Sequence, residues 1–140
     1  SVEPFLKFDN KITIVLGLTS NKGSLDFQTN TRYDPPLYKT VLERVSRWGS
    51  MDNLMFVVGA TRSDEFINLR KISPDHFFLV PGVGAQGGSL AEISQKAMNK
   101  DVGLLVNVSR DIIFASSGND FATVAGERAK AYAAEMSIYL

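Results

Sequence analysis

Four glycines, Gly82, Gly84, Gly87 and Gly88, fall within seven residues, directly after the apolar run Phe77 to Val80 and Pro81. Glycine at these positions permits positive φ and lets a ligand approach the backbone closely. Ser89-Leu90-Ala91-Glu92 follows with the pattern of a capping box, which opens a helix. Free amides at a helix start attract anions, and phosphate is the usual guest. Gln86 is the side chain of this loop that can both donate and accept hydrogen bonds. The glycine spacing alone is equally compatible with a plain structural turn. Ser109-Arg110, behind the next apolar run, offers a second group: the planar guanidinium fork of Arg110 matches phosphate geometry. Alone, an arginine at such a place is more often a surface ion pair. The two features together point to a phosphate grip built by the glycine loop, with Gln86, and by Arg110.

Thr19-Ser20-Asn21, after the first apolar run, offers hydroxyls and amides that could read the edge of a polar ring; a turn or capping cluster is the plainer alternative. Lys11 and Lys22 read as solvated charges. Asp26 and Gln28 could line the same loop. Arg62 could pair with a ligand or with Asp64, and Asp64 is the expected partner; His76 is expected to be structural, and Trp48 and the tyrosines to pack in the core or between helices. A reaction centre is missing: there is no G-x-S-x-G, no P-loop, no metal-ligand set and no paired acids at a strand end. With no cysteine and one histidine, thiol chemistry, disulfides and His-pair metal sites are excluded. A net charge of +0 argues against a general nucleic-acid binder. No apolar run approaches the roughly 18 residues of a membrane span. A hydrophobic fraction of 44% with 21% charged residues fits a globular protein, expected in the cytoplasm.

Four short apolar runs must position these groups: Ile12 to Leu18, Leu54 to Ala60, Phe77 to Val80 and Gly103 to Val108. Without clean alternation they read as strands buried on both faces, as in parallel sheets. Between them, Asp34 is expected to cap a helix that begins with Pro35 and Pro36 and ends at Gly49. A second helix is expected from Ser63 to about Arg70, a third from Ser89 to about Asn99, and a last from Asn119, with Phe121, Val124, Ala125, Tyr132 and Met136 on one side. The order β-α-β-α-β-α-β-α predicts an α/β fold with a parallel sheet. In such folds the carboxyl ends of the strands carry the site. The glycine loop, Arg110, Thr61-Arg62 and the irregular Thr19 to Asp34 all follow strand ends. The last two strands of a (β/α)8 barrel commonly bear its phosphate site.

LVPGVGAQGG and NVSRDIIFAS resemble the phosphate-binding segments of the orotidine 5′-phosphate decarboxylases, and LTSNKGSLDFQ resembles the pyrimidine-contacting loop of their longer bacterial branch. The resemblance runs over nearly the whole chain. It implies the C-terminal half of a (β/α)8 TIM barrel, with four βα units as a single domain over residues 1–140. It further implies decarboxylation of orotidine monophosphate to uridine monophosphate without metal or organic cofactor. Arg110 would hold the phosphate, Gln86 would bridge phosphate and pyrimidine, Gly84 and Gly87 would supply backbone contacts, and Ser20 would meet the ring beside Thr19 and Asn21. Ser109 stands where many relatives have glycine. The family's catalytic Asp-x-Lys-x-x-Asp segment has no counterpart; Asp9-Asn10-Lys11 imitates its first half at the wrong strand end.

A full barrel needs about 250 residues, so a chain of 140 residues is expected to lack the N-terminal half with its lysine and aspartates and to be inactive alone. The start at Ser1 and an N-terminal stretch like the end of a helix favour such a fragment. A free-standing half-barrel that binds a phosphorylated ligand, and a sugar-phosphate isomerase, are the competing readings; the Thr19-Ser20-Asn21 loop speaks against the latter. Expected partners are orotidine or uridine monophosphate, the missing half and a second copy through self-association or a homodimer. Neither nucleic acid nor membrane is expected.

Overall fold

Each of the four apolar runs forms a strand: β1 (Thr13–Leu18), β2 (Leu54–Val58), β3 (Phe77–Pro81) and β4 (Leu104–Asn107). The structure, a computed structural model, describes residues 2–30, 32 and 34–140, so the packing role expected of Tyr33 lies outside the described residues. The sheet order is β1-β2-β3-β4, and every pairing is parallel. Register puts Phe56 beside Phe78 and Phe78 beside Leu104 on one face, and Val57 beside Leu79 and Leu79 beside Leu105 on the other.

The helices are α1 (Ser24–Phe27), α2 (Leu37–Val45), α3 (Phe66–Ile72), α4 (Leu90–Ala97), α5 (Arg110–Ile113) and α6 (Phe121–Ser137). Leu42 and Val45 of α2, Phe66 and Leu69 of α3, and Ile93 and Ala97 of α4 join Leu54, Phe56, Val58, Phe78 and Val80 of the sheet in the core. The other face is largely open. Ile14, Leu16 and Leu105 are 47%, 57% and 53% exposed. Burial on both faces, as expected from the apolar runs, is therefore achieved on one face only, because the helices cover one side. The architecture is (β/α)4, half of a (β/α)8 barrel, and its open face is the one that a closed barrel turns inward.

Several helix starts differ from expectation. Pro36, not Asp34, occupies the cap position of α2, with no side-chain cap bond; the Gln28 carbonyl accepts the Tyr38 N–H at 3.1 Å instead. The helix stops at Val45, which leaves Trp48 exposed rather than packed in the core. After β2 the chain first makes a 3-10 turn over Ala60–Glu65, kinked at Arg62, so α3 starts at Phe66 and not at Ser63. Ser89 does cap α4, its Oγ accepting the Glu92 N–H at 3.3 Å. The reciprocal half of the capping box is not made: the Glu92 carboxylate accepts the Ser63 hydroxyl at 2.7 Å. Asp120 rather than Asn119 precedes α6, and only Tyr132 and Met136 of its expected apolar side pack against the core.

At the amino ends of the strands, Arg70 of α3 ties the fold together. Its guanidinium donates to the carbonyls of Ala97, Ser73, Pro74, His76 and Gly103 at 2.7 to 3.3 Å. It also lies 4.0 Å from the Phe78 ring centroid. This end is remote from the strand-end loops where the candidate site lies.

Candidate functional site at the carboxyl rim of the sheet

The rim is built from loops that nest against one another. The Gly59 N–H at the end of β2 donates to the Leu18 carbonyl of β1 at 2.8 Å. A Cβ on Gly59 would meet Ser20 Cβ and Oγ at 3.3 Å, so Ser20 sits directly over the end of β2. Gly88 has no room for a side chain: a Cβ would meet the Gly82 carbonyl oxygen at 2.7 Å and would also run into Ala60. The glycine loop can therefore lie on the β2 loop only because position 88 is glycine.

The loop after β3 is tied internally. Gly84 N–H donates to Gly88 O at 3.1 Å, Gly87 N–H to Gly84 O at 2.7 Å, and Gly88 N–H to Gly82 O at 3.1 Å. The amides of Gly84 and Gly87, the expected backbone contacts, are thus engaged within the loop. Among the described residues no backbone bond engages the amides of Ala85 and Gln86, which are exposed at its tip. A cavity of about 150 Å³ opens here, lined by Pro81, Gly82, Ala85, Gln86, Ser109 and Arg110, together with Val83 and Asn107. Gln86 and Arg110, far apart in sequence, thus face one space. Gly84 and Gly87 are not on its wall. Arg110 opens α5, and no carboxylate among the described residues pairs with it. The surface ion pair that was the plain alternative for Arg110 is not formed. An unpaired guanidinium with two amides and a carboxamide suits an anion with several acceptor oxygens.

The loop after β1 is braced from two sides. Gln28 Oε1 accepts the Thr19 N–H at 2.8 Å, and the Thr19 hydroxyl donates to Asn21 Oδ1 at 2.5 Å. Arg62 does not pair with Asp64. Its Nη2 donates to the buried Ser24 hydroxyl at 2.9 Å and its Nε to the Thr19 carbonyl at 3.4 Å. Asp64 pairs with Lys96 instead, at 3.0 Å. With Thr19 and Asn21 bonded to each other, Ser20 is left as the residue of the three whose hydroxyl has no partner among the described residues.

Gln28, expected to line the Thr19-Ser20-Asn21 loop, does so and braces it; the bracing role of Arg62 and the bond from the Tyr132 hydroxyl to Asp111 Oδ2 at 2.5 Å were not foreseen from the sequence. That bond, then burial, raises the Tyr132 pKa. No sequence signal marked the Tyr132 bond, because its partner is 21 residues away. Among the described residues no group of three His, Cys, Asp or Glu side chains gathers at a metal-binding spacing, and no helix is long and apolar enough to cross a membrane.

No protein-family model matches the chain. It is 54% identical over 137 residues to orotidine 5′-phosphate decarboxylase of Christiangramia forsetii, a match over 98% of this chain and 50% of the relative. The corresponding protein of Flavobacterium johnsoniae is 56% identical, with the same coverage. Among solved structures, Leishmania donovani UMP synthase superposes with a TM-score of 0.80 at 38% identity, covering 97% of this chain and 30% of that one. Leishmania donovani OMP decarboxylase superposes with a TM-score of 0.79 at 34% identity, covering 97% and 52%. The chain spans about half the length of the curated relatives it matches.

Proposed function

The chain corresponds over nearly its whole length to one half of the orotidine 5′-phosphate decarboxylases, and we propose that it supplies the C-terminal, substrate-gripping half of such an enzyme, acting in pyrimidine biosynthesis. Arg110 and Gln86 take the phosphate of orotidine monophosphate, helped by the free amides at the loop tip, and Ser20 reads the pyrimidine edge. The observation that carries this reading is the convergence of Gln86 and Arg110 on one cavity at the strand ends. The lysine that protonates the carbanion and the aspartates that position it belong to the N-terminal half, so the isolated chain binds nucleotide but does not turn it over. The phosphate lies away from the breaking bond. Its binding energy serves to close loops around the substrate and to assemble the transition-state site. The open face of the sheet is where the other half would close the barrel. A cytoplasmic location and a homodimer of the complete enzyme belong to the same reading.

Calorimetric titration tests it. Uridine monophosphate binds the chain measurably more tightly than uridine, and Arg110→Ala loses that advantage, by ~10- to 100-fold for a charged hydrogen bond. Equal binding of the two ligands by the unsubstituted chain overturns the proposal.

A further inference from the structure

Asp111 follows Arg110 directly, in the first turn of α5. Its Oδ2 accepts the Tyr132 hydroxyl of α6 at 2.5 Å, and Arg128 Nε of the same helix lies 3.4 Å from that oxygen. The pair also backs the glycine loop. A Cβ on Gly84, at φ +74°, would lie 2.5 Å from Tyr132 Oη and 3.3 Å from Asp111 Cβ. Gly84 in turn anchors the loop through its bonds to Gly88 and Gly87. One hydrogen-bonded pair therefore abuts both segments that form the cavity: the glycine loop behind its wall at Gly84, and Arg110 through the adjoining peptide.

We propose that Asp111 and Tyr132 are positioning residues that hold the glycine loop and Arg110 at the spacing a phosphate requires, and so set the preference for a nucleotide over its nucleoside. The inference rests on the proposed phosphate grip. The physical reason is preorganisation. A glycine-rich loop and an exposed arginine each lose conformational freedom on binding, and a pair that fixes both beforehand reduces that loss. Gly84 is needed here for contact with the clamp rather than for contact with the ligand, which accounts for its amide being engaged within the loop.

The test compares uridine monophosphate and uridine on the chain and its variants. Tyr132→Phe removes the donor and keeps the ring; it weakens uridine monophosphate ~10-fold, about the loss of one hydrogen bond to a charged group, and leaves uridine unchanged. Asp111→Ala does the same from the other side of the pair, and Asp111→Asn, which keeps an acceptor for the Tyr132 hydroxyl, recovers most of the loss. Amide hydrogen exchange in the ligand-free protein gives an independent reading. Exchange at Gly84 and Gly87 quickens in Tyr132→Phe and returns toward the parent rate in Asp111→Asn. Unchanged exchange together with an unchanged nucleotide preference overturns the inference. If the parent chain itself does not distinguish the two ligands, the proposed function falls, and the exchange rates still decide whether the pair holds the loop.

Discussion

Replacing Arg70 with methionine should be the most destabilising single change at the amino end of the barrel half. The side chain keeps similar length and loses the guanidinium. Its three shortest bonds, to His76, Ala97 and Ser73, measure 2.7, 2.9 and 3.0 Å. Hydrogen bonds to charged groups contribute ~1.5–3 kcal/mol each, so these three amount to ~4.5–9 kcal/mol before any cost. Burial opposes the charge, pulling the Arg70 pKa down to about 10, with Asp75 acting in the other direction. The group stays protonated at neutral pH. After that desolvation the net loss should be about 3 kcal/mol, at the lower end of what breaking a buried charged network costs. With a urea slope of ~1.5 kcal/mol/M, the unfolding midpoint should fall by ~2 M. The neighbouring Lys71 is exposed and serves as the control; Lys71→Met should stay within ~0.5 kcal/mol of the parent. Arg70→Lys should recover little, because one ammonium cannot reach carbonyls on α4, at Gly103 before β4 and in the Ser73–His76 turn together. If Arg70→Met shifts the midpoint no more than Lys71→Met, the role of this network in stability is refuted.

Two further outcomes concern the whole chain. Burial lowers the His76 pKa, against a weaker opposing effect of Asp75, and among the described residues neither ring nitrogen makes a well-formed hydrogen bond. The depressed group contributes fully above its unfolded value of about 6.5. That contribution is lost as pH falls from there through the folded value, at up to ~1.4 kcal/mol per pH unit. Urea unfolding between pH 7.5 and 5.5 should show the decline, and His76→Leu should flatten it. Separately, the open apolar face and the free edges of β1 and β4 should drive self-association. Sedimentation at tens of micromolar should give a dimer or larger species, and a monodisperse monomer would count against it.

How far the sequence reveals this molecule depends on where each interaction closes. Strand positions were legible because a run such as Leu54 to Val58 is apolar throughout, and the Ser89 cap was legible because its partner Glu92 is three residues away. The Asp34 cap was misread because the amide of Tyr38 finds the Gln28 carbonyl, which arrives from the preceding loop. Arg62 was assigned to its neighbour Asp64, yet it reaches Ser24, 38 residues away, once β1 and β2 lie side by side. Of the site, Gln86 and Arg110 share a cavity as their chemistry suggested, and Thr19, Ser20 and Asn21 share a braced loop. The function of the glycine loop was less legible. Glycine spacing does not tell whether a residue leaves room for a ligand or, like Gly84 against Tyr132, for another part of the protein.

The most direct test of the central claim is decarboxylation of orotidine monophosphate by this chain, alone and mixed with the N-terminal half of the Flavobacterium johnsoniae relative. Neither half alone should turn the substrate over, the mixture should, and Arg110→Ala should remove most of that turnover. Turnover by the chain alone, or a mixture indifferent to Arg110→Ala, would contradict the claim.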